Sequence, residues 1–217
     1  MKKEGMKELL EKFMHLQTNG DDILVYNEIS LQLELGLYLR QKGYTVRFER
    51  NIGEYVKNTS YFVKKEIDIV AYKGKDELKA EKIAIELKFP RNGQYPEQMF
   101  SFVEDIKFME QVKSVGGFSK TFVVVLVDDK NFYENNKWQP VPSDIYSYFR
   151  SDKEEVCIPA NTIINKPTGK KVQSISGLNN QYKSTWEKPT AIWLDAKQDK
   201  DDAKQDKEYR YYIIECK

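Results

Sequence analysis

An uninterrupted apolar run near the middle of the chain constrains the fold more than any other feature. Residues 120–127 read KTFVVVLV, which has the length and composition of a strand buried on both faces. A helix predicted over residues 96–115 precedes this run, and Gly116 and Gly117 end that helix. A helix that leads into a doubly buried strand is typical of a crossover connection. The run therefore predicts a central strand in a sheet that is covered by helices.

The residues before this run supply further elements of such a fold. Apolar residues alternate with other residues in three segments, and we predict strands over residues 44–52, 60–73 and 81–89. Helical spacing predicts helices over residues 5–17 and 22–42. The second of these helices also alternates strictly from Ile29 to Leu39, but its length and its content of Leu, Glu and Gln favour a buried helix. We therefore expect an α/β (α+β) fold, with a mixed central sheet flanked by helices.

The pattern changes after Asp128 to short strands and turns. We predict a single domain over residues 1–217, with a core at about 22–128 and a β-rich extension at about 129–217. A chain of 217 residues can bury a core without disulfides or a structural metal. The isolated Cys157 and Cys216 indicate reduced thiols, because their spacing fits no zinc site.

Composition excludes little about partners. Lys and Arg number 35 and Asp and Glu number 34, so the net charge of +1 neither supports nor excludes nucleic acid. No stretch has the length and hydropathy of a membrane-spanning helix, and the first residues lack the apolar core of a secretory leader. These features predict a cytoplasmic protein that does not enter a membrane.

The third predicted strand carries an acid and a base on one face. In IAIELKF, residues 83–89, apolar side chains alternate with Ala84, Glu86 and Lys88, so Glu86 and Lys88 point the same way. Asp68 lies near the centre of the preceding strand, within the apolar run EIDIVAY. Burying an acid there is costly unless it has a cation or hydrogen-bond donors. A tight antiparallel hairpin would bring Asp68 opposite Glu86.

Two carboxylates that converge beside an ammonium form a donor set for a hard divalent cation. Oxygen ligands suit Mg²⁺, which binds one or two protein carboxylates and keeps waters for a phosphate. Such a metal polarises a phosphodiester and lowers the pKa of a bound water. Lys88 would orient that water or offset charge that develops on phosphorus. The alternative is an ordinary ion pair on a solvated strand face of an unrelated α/β protein.

Asp68 together with Glu86-Leu87-Lys88 resembles the motif of the PD-(D/E)xK nuclease superfamily, the fold of many restriction endonucleases. The predicted order of helices and strands over residues 22–128 is similar to that family as well. The resemblance implies a restriction-endonuclease-like core and a metal-dependent nuclease that hydrolyses phosphodiester bonds in DNA. It implies that Asp68 and Glu86 bind Mg²⁺ or Mn²⁺ and that the Leu87 backbone oxygen is a further ligand. Lys88 would assist catalysis.

Many members of this superfamily place an additional Glu on the preceding helix. The segment NEISLQLEL offers Glu28 and Glu34, and we prefer Glu28 as the metal ligand. Two features depart from the family pattern. No Pro precedes Asp68, and Gln98 and Phe102 only loosely match the Gln and Tyr that some branches carry on the following helix.

The resemblance implies DNA as a partner and leaves a homodimer open. The alternative is a catalytically inactive member of the same fold that binds nucleic acid or a protein. The intact Asp68, Glu86 and Lys88 favour the enzyme, because a site that loses its activity usually loses one such residue. No basic stripe identifies nucleic-acid-binding residues. The candidates for contact with phosphate are Lys64, Lys65, Arg91, Lys107, Lys170 and Lys171.

Overall fold

The structure is a computed structural model that describes residues 4–16, 25–77, 79–91, 93–115, 117–134, 144–166, 174–175, 177–190 and 208–217. The helices in these ranges are α1 (Met6–Met14), α2 (Glu28–Gln41), α3 (Tyr95–Val115) and α4 (Asp144–Phe149). The longer strands are β1 (Thr45–Asn51), β2 (Glu66–Tyr72), β3 (Lys82–Lys88) and β4 (Phe118–Val127). The remaining strands are β5 (Glu155–Ile158), β6 (Ile164–Asn165), β7 (Ser174–Ile175), β8 (Tyr182–Thr185) and β9 (Arg210–Cys216).

A five-stranded mixed sheet forms the centre of the fold, in the order β1-β2-β3-β4-β9. Strand β3 pairs parallel with β4, and the other neighbours pair antiparallel. Helix α3 connects the two parallel strands, as a crossover between parallel strands requires. The predicted mixed α+β fold with a helix-covered central sheet is therefore confirmed. Strand β4 has neighbours on both sides and is buried over Thr121–Val127, as its apolar run predicted.

The two faces of the sheet are covered by different parts of the chain. Ile85 and Phe122 on one face belong to a core that α1 and α2 complete. Val123 and Val125 on the other face belong to a core with α3 and residues of the C-terminal extension. Because side chains alternate along a strand, Asp68, Glu86 and Lys88 occupy positions on the face of the sheet that α3 covers. The candidate site therefore lies between the sheet and α3.

Helix α2 confirms the choice of a helix over a strand for the alternating leucine segment. The helix begins with a reciprocal cap, in which Asn27 Oδ1 accepts from Ser30 N at 2.8 Å and Ser30 Oγ accepts from Asn27 N at 3.0 Å. The alternation divides into two helical stripes. The buried stripe consists of Leu31, Leu35 and Leu39, and the exposed stripe consists of Ile29, Leu33 and Leu37. Residues 22–24 of the predicted helix lie outside the described residues.

The strand predicted over residues 60–73 begins later than expected, because β2 starts at Glu66. The backbone from Tyr61 to Val63 binds a helix side chain instead of a neighbouring strand. Gln111 Nε2 donates to Tyr61 O at 2.7 Å, and Val63 N donates to Gln111 Oε1 at 3.0 Å. The prediction was wrong for residues 60–65, since the apolar residues there belong to a loop that packs Phe62 against α3.

The extension packs over α3 and then returns to the central sheet. Strands β5 and β8 form one antiparallel ladder, and β6 and β7 pair in a second short ladder. The indole N–H of Trp186 donates to Phe149 O at 2.8 Å. This hydrogen bond connects the residue after β8 to the end of α4. Strand β9 pairs with β4 along its whole length, so the last part of the predicted extension belongs to the sheet. In the described ranges, no helix has the length and apolar character to cross a membrane.

Candidate functional site

The side chains of Asp68 and Glu86 meet where β2 and β3 stop pairing. Ile69 lies opposite Ile85, and the next position in this register places Asp68 opposite Glu86. Asp68 N donates to Glu86 Oε1 at 3.2 Å, and Leu87 N donates to Asp68 Oδ2 at 2.7 Å. Directly opposite residues of antiparallel strands project to the same face. The structure therefore brings the two predicted carboxylates together.

The last residue of β3 places its ammonium beside the same group. Lys88 Nζ donates to Leu87 O at 3.2 Å and lies 3.3 Å from Glu28 Oε1. The other oxygen of Glu28 accepts from Phe89 N at 3.0 Å. Glu28 is the first residue of α2, so its approach depends on the helix N-terminus meeting the end of β3. Glu34 lies farther along α2, and the described residues give it no hydrogen bond or ion pair.

Two further residues complete the site, and sequence reasoning did not assign them to it. Asp105 on α3 is fully buried, and its Oδ2 lies 3.6 Å from Lys88 Nζ. Lys64, in the loop before β2, contacts Glu86 Oε2 and lies 2.7 Å from Asp105 Oδ1. Asp105 could have been found by the argument used for Asp68, since it interrupts the apolar stripe of its helix. The signal for Lys64 was weaker, because its loop was predicted as a strand.

We call these groups the acid–lysine cluster, which consists of Glu28, Lys64, Asp68, Glu86, Lys88 and Asp105. Ammonium groups lie between the carboxylates: Lys64 between Glu86 and Asp105, and Lys88 between Glu28 and Asp105. In this arrangement no three His, Cys, Asp or Glu side chains of the described residues are grouped to hold a metal ion. The ionised cluster nevertheless has four negative and two positive charges, which leaves two negative charges without a counter-ion.

Burial raises the proton affinity of both central acids. The pKa of Asp68 rises from 3.8 to about 6, chiefly through burial, although the hydrogen bond from Leu87 opposes the rise. The pKa of Glu86 is raised well above its ordinary value by burial and by the charges of Asp68 and Asp105, against which Lys64 acts. A cation that neutralised these carboxylates would lower both pKa values.

The neighbouring carboxylates determine the pKa values of the two lysines. Burial by itself lowers the pKa of Lys88, but Asp105 and Glu28 raise it above the ordinary value for a lysine. Burial likewise disfavours the charged form of Lys64, and the charges of Asp105 and Glu86 outweigh that effect, so that its pKa is also raised. Both side chains are therefore cations at neutral pH. Lys88 can donate hydrogen bonds and offset negative charge, but it does not act as a base in this state.

A glutamine on α2 holds the backbone on the other side of Asp68. Gln32 Nε2 donates to Asp68 O at 2.8 Å and to Glu49 Oε1 at 2.5 Å. Glu49 lies on β1 between the positions paired with Ile67 and Ile69, and its φ of 50° is unfavourable for a residue with a side chain. Backbone strain of this kind is concentrated at functional sites. Sequence patterns gave no sign of this contact.

The other candidate residues are distributed around the fold. Lys107 Nζ donates to Gly177 O at 3.0 Å, and Arg91 Nε lies 3.3 Å from Asp128 Oδ2, so both stabilise packing contacts. Lys65 is exposed, whereas Lys170 and Lys171 lie outside the described residues. Glu215-Cys216-Lys217 repeats the Glu-x-Lys pattern and is separate from the cluster. Its Glu215 lies 3.1 Å from Lys120.

The comparisons with known proteins add no assignment to this geometry. No protein-family model, curated protein or solved structure matches the chain. The geometry of the acid–lysine cluster and its sequence motif are therefore the basis for assigning it a role.

Proposed function

We propose that this protein is a metal-dependent nuclease, related to the PD-(D/E)xK superfamily, that hydrolyses phosphodiester bonds in DNA. The observation that carries the proposal is the convergence of Asp68, Glu86 and Lys88 at one end of the β2–β3 hairpin. These side chains come from a strand pair that leads through α3 into a parallel strand, which is the order expected from the motif. A cluster that served only as a surface ion pair would not bury Glu86 completely.

The charges and orphaned atoms of the cluster fit a divalent cation. Four carboxylates face two ammonium groups, so one divalent cation would balance the remaining charge. Asp105 Oδ2 is buried, and it accepts no hydrogen bond from any residue that the structure describes. A buried carboxylate oxygen without a donor is costly, and a cation is one way to satisfy it. In the proposal Asp68, Glu86 and the Leu87 carbonyl hold Mg²⁺ or Mn²⁺, and Glu28 approaches from α2.

Each group of the chain then has a chemical task. The metal ion supplies a Lewis acid and a bound water of lowered pKa. Asp68 is oriented for binding by the amide of Leu87, and Glu86 by the amide of Asp68. Lys88 remains protonated, so it offsets negative charge on the phosphate oxygens and donates to the attacking water or the phosphate. Gln32 fixes the carbonyl of Asp68 and with it the strand position.

A second candidate is a protein of the same fold that binds nucleic acid or a protein without catalysis. The observation that favours it is the ammonium of Lys64, which forms ion pairs with both Glu86 and Asp105. A cluster of this kind could stabilise the packing of α3 on the sheet. Metal binding separates the two candidates, because the non-catalytic protein needs no cation at Asp68.

The proposal extends to the cell compartment and the partner. Cys157 and Cys216 are free thiols, which is compatible with a reducing compartment such as the cytoplasm. DNA is the proposed partner because the motif resembles that of DNA nucleases. The homodimer that the sequence left open stays a prediction.

The test measures metal binding before activity, since a nuclease with strict sequence choice is inert on the wrong DNA. Calorimetry with Mn²⁺ on wild type and Asp68→Asn should show binding that the substitution removes or weakens by at least about tenfold. Supercoiled, linear and single-stranded DNA should then be incubated with Mg²⁺ or Mn²⁺, and EDTA should stop any cleavage. Asp68→Ala and Glu86→Ala should abolish cleavage. Equal Mn²⁺ affinity in wild type and Asp68→Asn would leave no metal at Asp68, and the proposal would fail.

A further inference from the structure

A lysine ammonium lies between the two fully buried carboxylates of the acid–lysine cluster. Lys64 Nζ contacts Glu86 Oε2 and lies 2.7 Å from Asp105 Oδ1. The side chains of Glu86 and Asp105 are fully buried, whereas 29% of the Lys64 side chain is exposed. The ammonium thus lies between two buried oxygen donors and reaches them from the solvent side.

The second oxygen of Asp105 shows that the lysines satisfy this position incompletely. None of the described residues donates a hydrogen bond to the buried Asp105 Oδ2, and Lys88 Nζ lies 3.6 Å from it. Buried carboxylate oxygens normally accept hydrogen bonds or bind cations. An ammonium has only three donors on one nitrogen, whereas a hard divalent cation takes six or more oxygen ligands. Asp105 Oδ2 is therefore available to bind a cation within the cluster.

The loop that carries Lys64 is held by contacts that do not involve its side chain. Gln111 on α3 accepts from Val63 N and donates to Tyr61 O. The carbonyl of the next residue, Lys65, accepts from Ile52 N at 2.7 Å. The Lys64 side chain can consequently swing away from Glu86 while the backbone stays in place.

We propose that Lys64 is a displaceable internal counter-ion, which occupies the cation position between Glu86 and Asp105 until a divalent cation replaces it. Asp105 then becomes an additional carboxylate ligand of that cation. This inference rests on the proposed function, because it concerns the same cluster. It makes metal affinity depend on Lys64, since the cation must break two ion pairs before it binds.

Calorimetry with Mn²⁺ on two variants and a matched control tests this exchange. Lys64→Met removes the charge and keeps much of the side-chain volume, and it should bind Mn²⁺ about tenfold more tightly than wild type. Lys65→Met removes an exposed neighbouring charge and should bind as wild type does. Asp105→Asn should bind at least about tenfold more weakly. Unchanged affinity in Lys64→Met or in Asp105→Asn would overturn the inference.

A measurement on the wild-type protein covers the case in which Lys64→Met does not fold. Brief acetylation with an amine-reactive reagent, followed by mass spectrometry, reports how accessible each lysine is. Lys64 should be acetylated several times faster in saturating Mn²⁺ than in EDTA, because its amine leaves Glu86 and Asp105. Lys65 in the same peptide serves as the internal standard and should not change. Equal acetylation of Lys64 with and without Mn²⁺ would show that it stays in place.

The outcomes separate this inference from the proposed function. Mn²⁺ binding that Asp68→Asn removes and Lys64→Met leaves unchanged would support the metal site and overturn the role of Lys64. Binding that appears only in Lys64→Met would overturn both, because the lysine would then exclude the cation from the wild-type protein and not be displaced by it. Absence of binding in wild type and in Lys64→Met would overturn both.

Discussion

The carboxylate of Asp68 accepts a hydrogen bond from the backbone amide of Leu87, with 2.7 Å between Oδ2 and the nitrogen. This contact joins two adjacent strands at the position where their regular pairing ends. It fixes one oxygen of Asp68 beside Leu87, the residue whose carbonyl we propose as a metal ligand. The described residues provide no hydrogen bond to the other oxygen, Oδ1, which leaves it for a further partner.

We expect Asp68→Asn to stabilise the metal-free protein at pH 8. The folded pKa of about 6 lies above the ordinary 3.8, so the folded state binds this proton more tightly than the unfolded chain. The resulting stability is fully present below pH 3.8 and is lost as the pH rises through about 6. At pH 8 the ionised Asp68 therefore lowers the free energy of unfolding by at most about 3 kcal/mol, which the asparagine avoids.

The measurement is denaturant unfolding in EDTA at several pH values. The two proteins should have equal stability at pH 3.5 and diverge as the pH rises. Glu66→Gln, at an exposed position of the same strand, is the control and should change stability by less than about 0.5 kcal/mol. Equal stability of wild type and Asp68→Asn at pH 8 would show that burial does not penalise this carboxylate.

Lys88→Met should separate metal binding from turnover. Lys88 remains protonated beside Leu87 O and Glu28, so its removal takes away a cation without removing a ligand. We expect kcat to fall by about 10²–10³-fold, while Mn²⁺ affinity is kept or increased. Lys120→Met removes a lysine paired with Glu215 outside the cluster, and it should cleave DNA at the wild-type rate. Loss of Mn²⁺ binding in Lys88→Met would contradict this assignment.

Glu28→Gln and Glu34→Gln form a matched pair on one helix. Glu28 contacts Lys88 Nζ and the amide of Phe89, whereas Glu34 has no such contact among the described residues. If Glu28 approaches the metal, its substitution should weaken Mn²⁺ binding by about fivefold or more. Glu34→Gln should bind Mn²⁺ as wild type does. The reverse order of the two affinities would assign the ligand to Glu34, the alternative that the sequence left open.

Glu110→Ala should destabilise the whole fold. The Glu110 carboxylate is buried and accepts from Asn179 N at 2.9 Å, Asn180 N at 3.0 Å and the Tyr182 hydroxyl at 2.9 Å. Its removal leaves these donors, and the side-chain amide of Asn180, without their carboxylate acceptor between α3 and the extension. We expect a loss of about 3 kcal/mol or more in the free energy of unfolding.

Urea unfolding followed by circular dichroism and by tryptophan fluorescence checks this prediction. Trp186 reports on the extension, and circular dichroism reports on the helices and the sheet, so coincident transitions would indicate one cooperative unit. Glu155→Ala, at an exposed position of β5, is the control and should have little effect. A Glu110→Ala protein as stable as wild type would show that these hydrogen bonds contribute nothing net.

Sequence analysis did not place Asp105, Lys64 or Gln32 in the cluster, although it named Lys64 as a candidate for contact with phosphate, and these residues share one property. Asp105 lies 17 residues from Lys88 in the chain and Lys64 lies 22 residues from Glu86, and each reaches the cluster only because α3 and its neighbouring loop pack on the sheet. Periodicity reports which face a side chain occupies, not which distant side chain it meets. Gln32 was missed for the same reason, since its hydrogen bond to Asp68 O crosses from α2 to β2.

The sequence by itself determined the strands and helices of the core, because burial imposes a period of two on strands and 3.6 on helices. It also determined that Asp68, Glu86 and Lys88 share a face, since strand parity follows from spacing alone. Only the tertiary structure decided that residues 60–65 form a loop, because their backbone donors and acceptors bind Gln111 on α3. It alone decided that β9 completes the sheet and that Lys64 lies between Glu86 and Asp105, as both contacts join segments far apart in the chain. Such long-range pairings depend on the packing of the whole core, which no local pattern encodes.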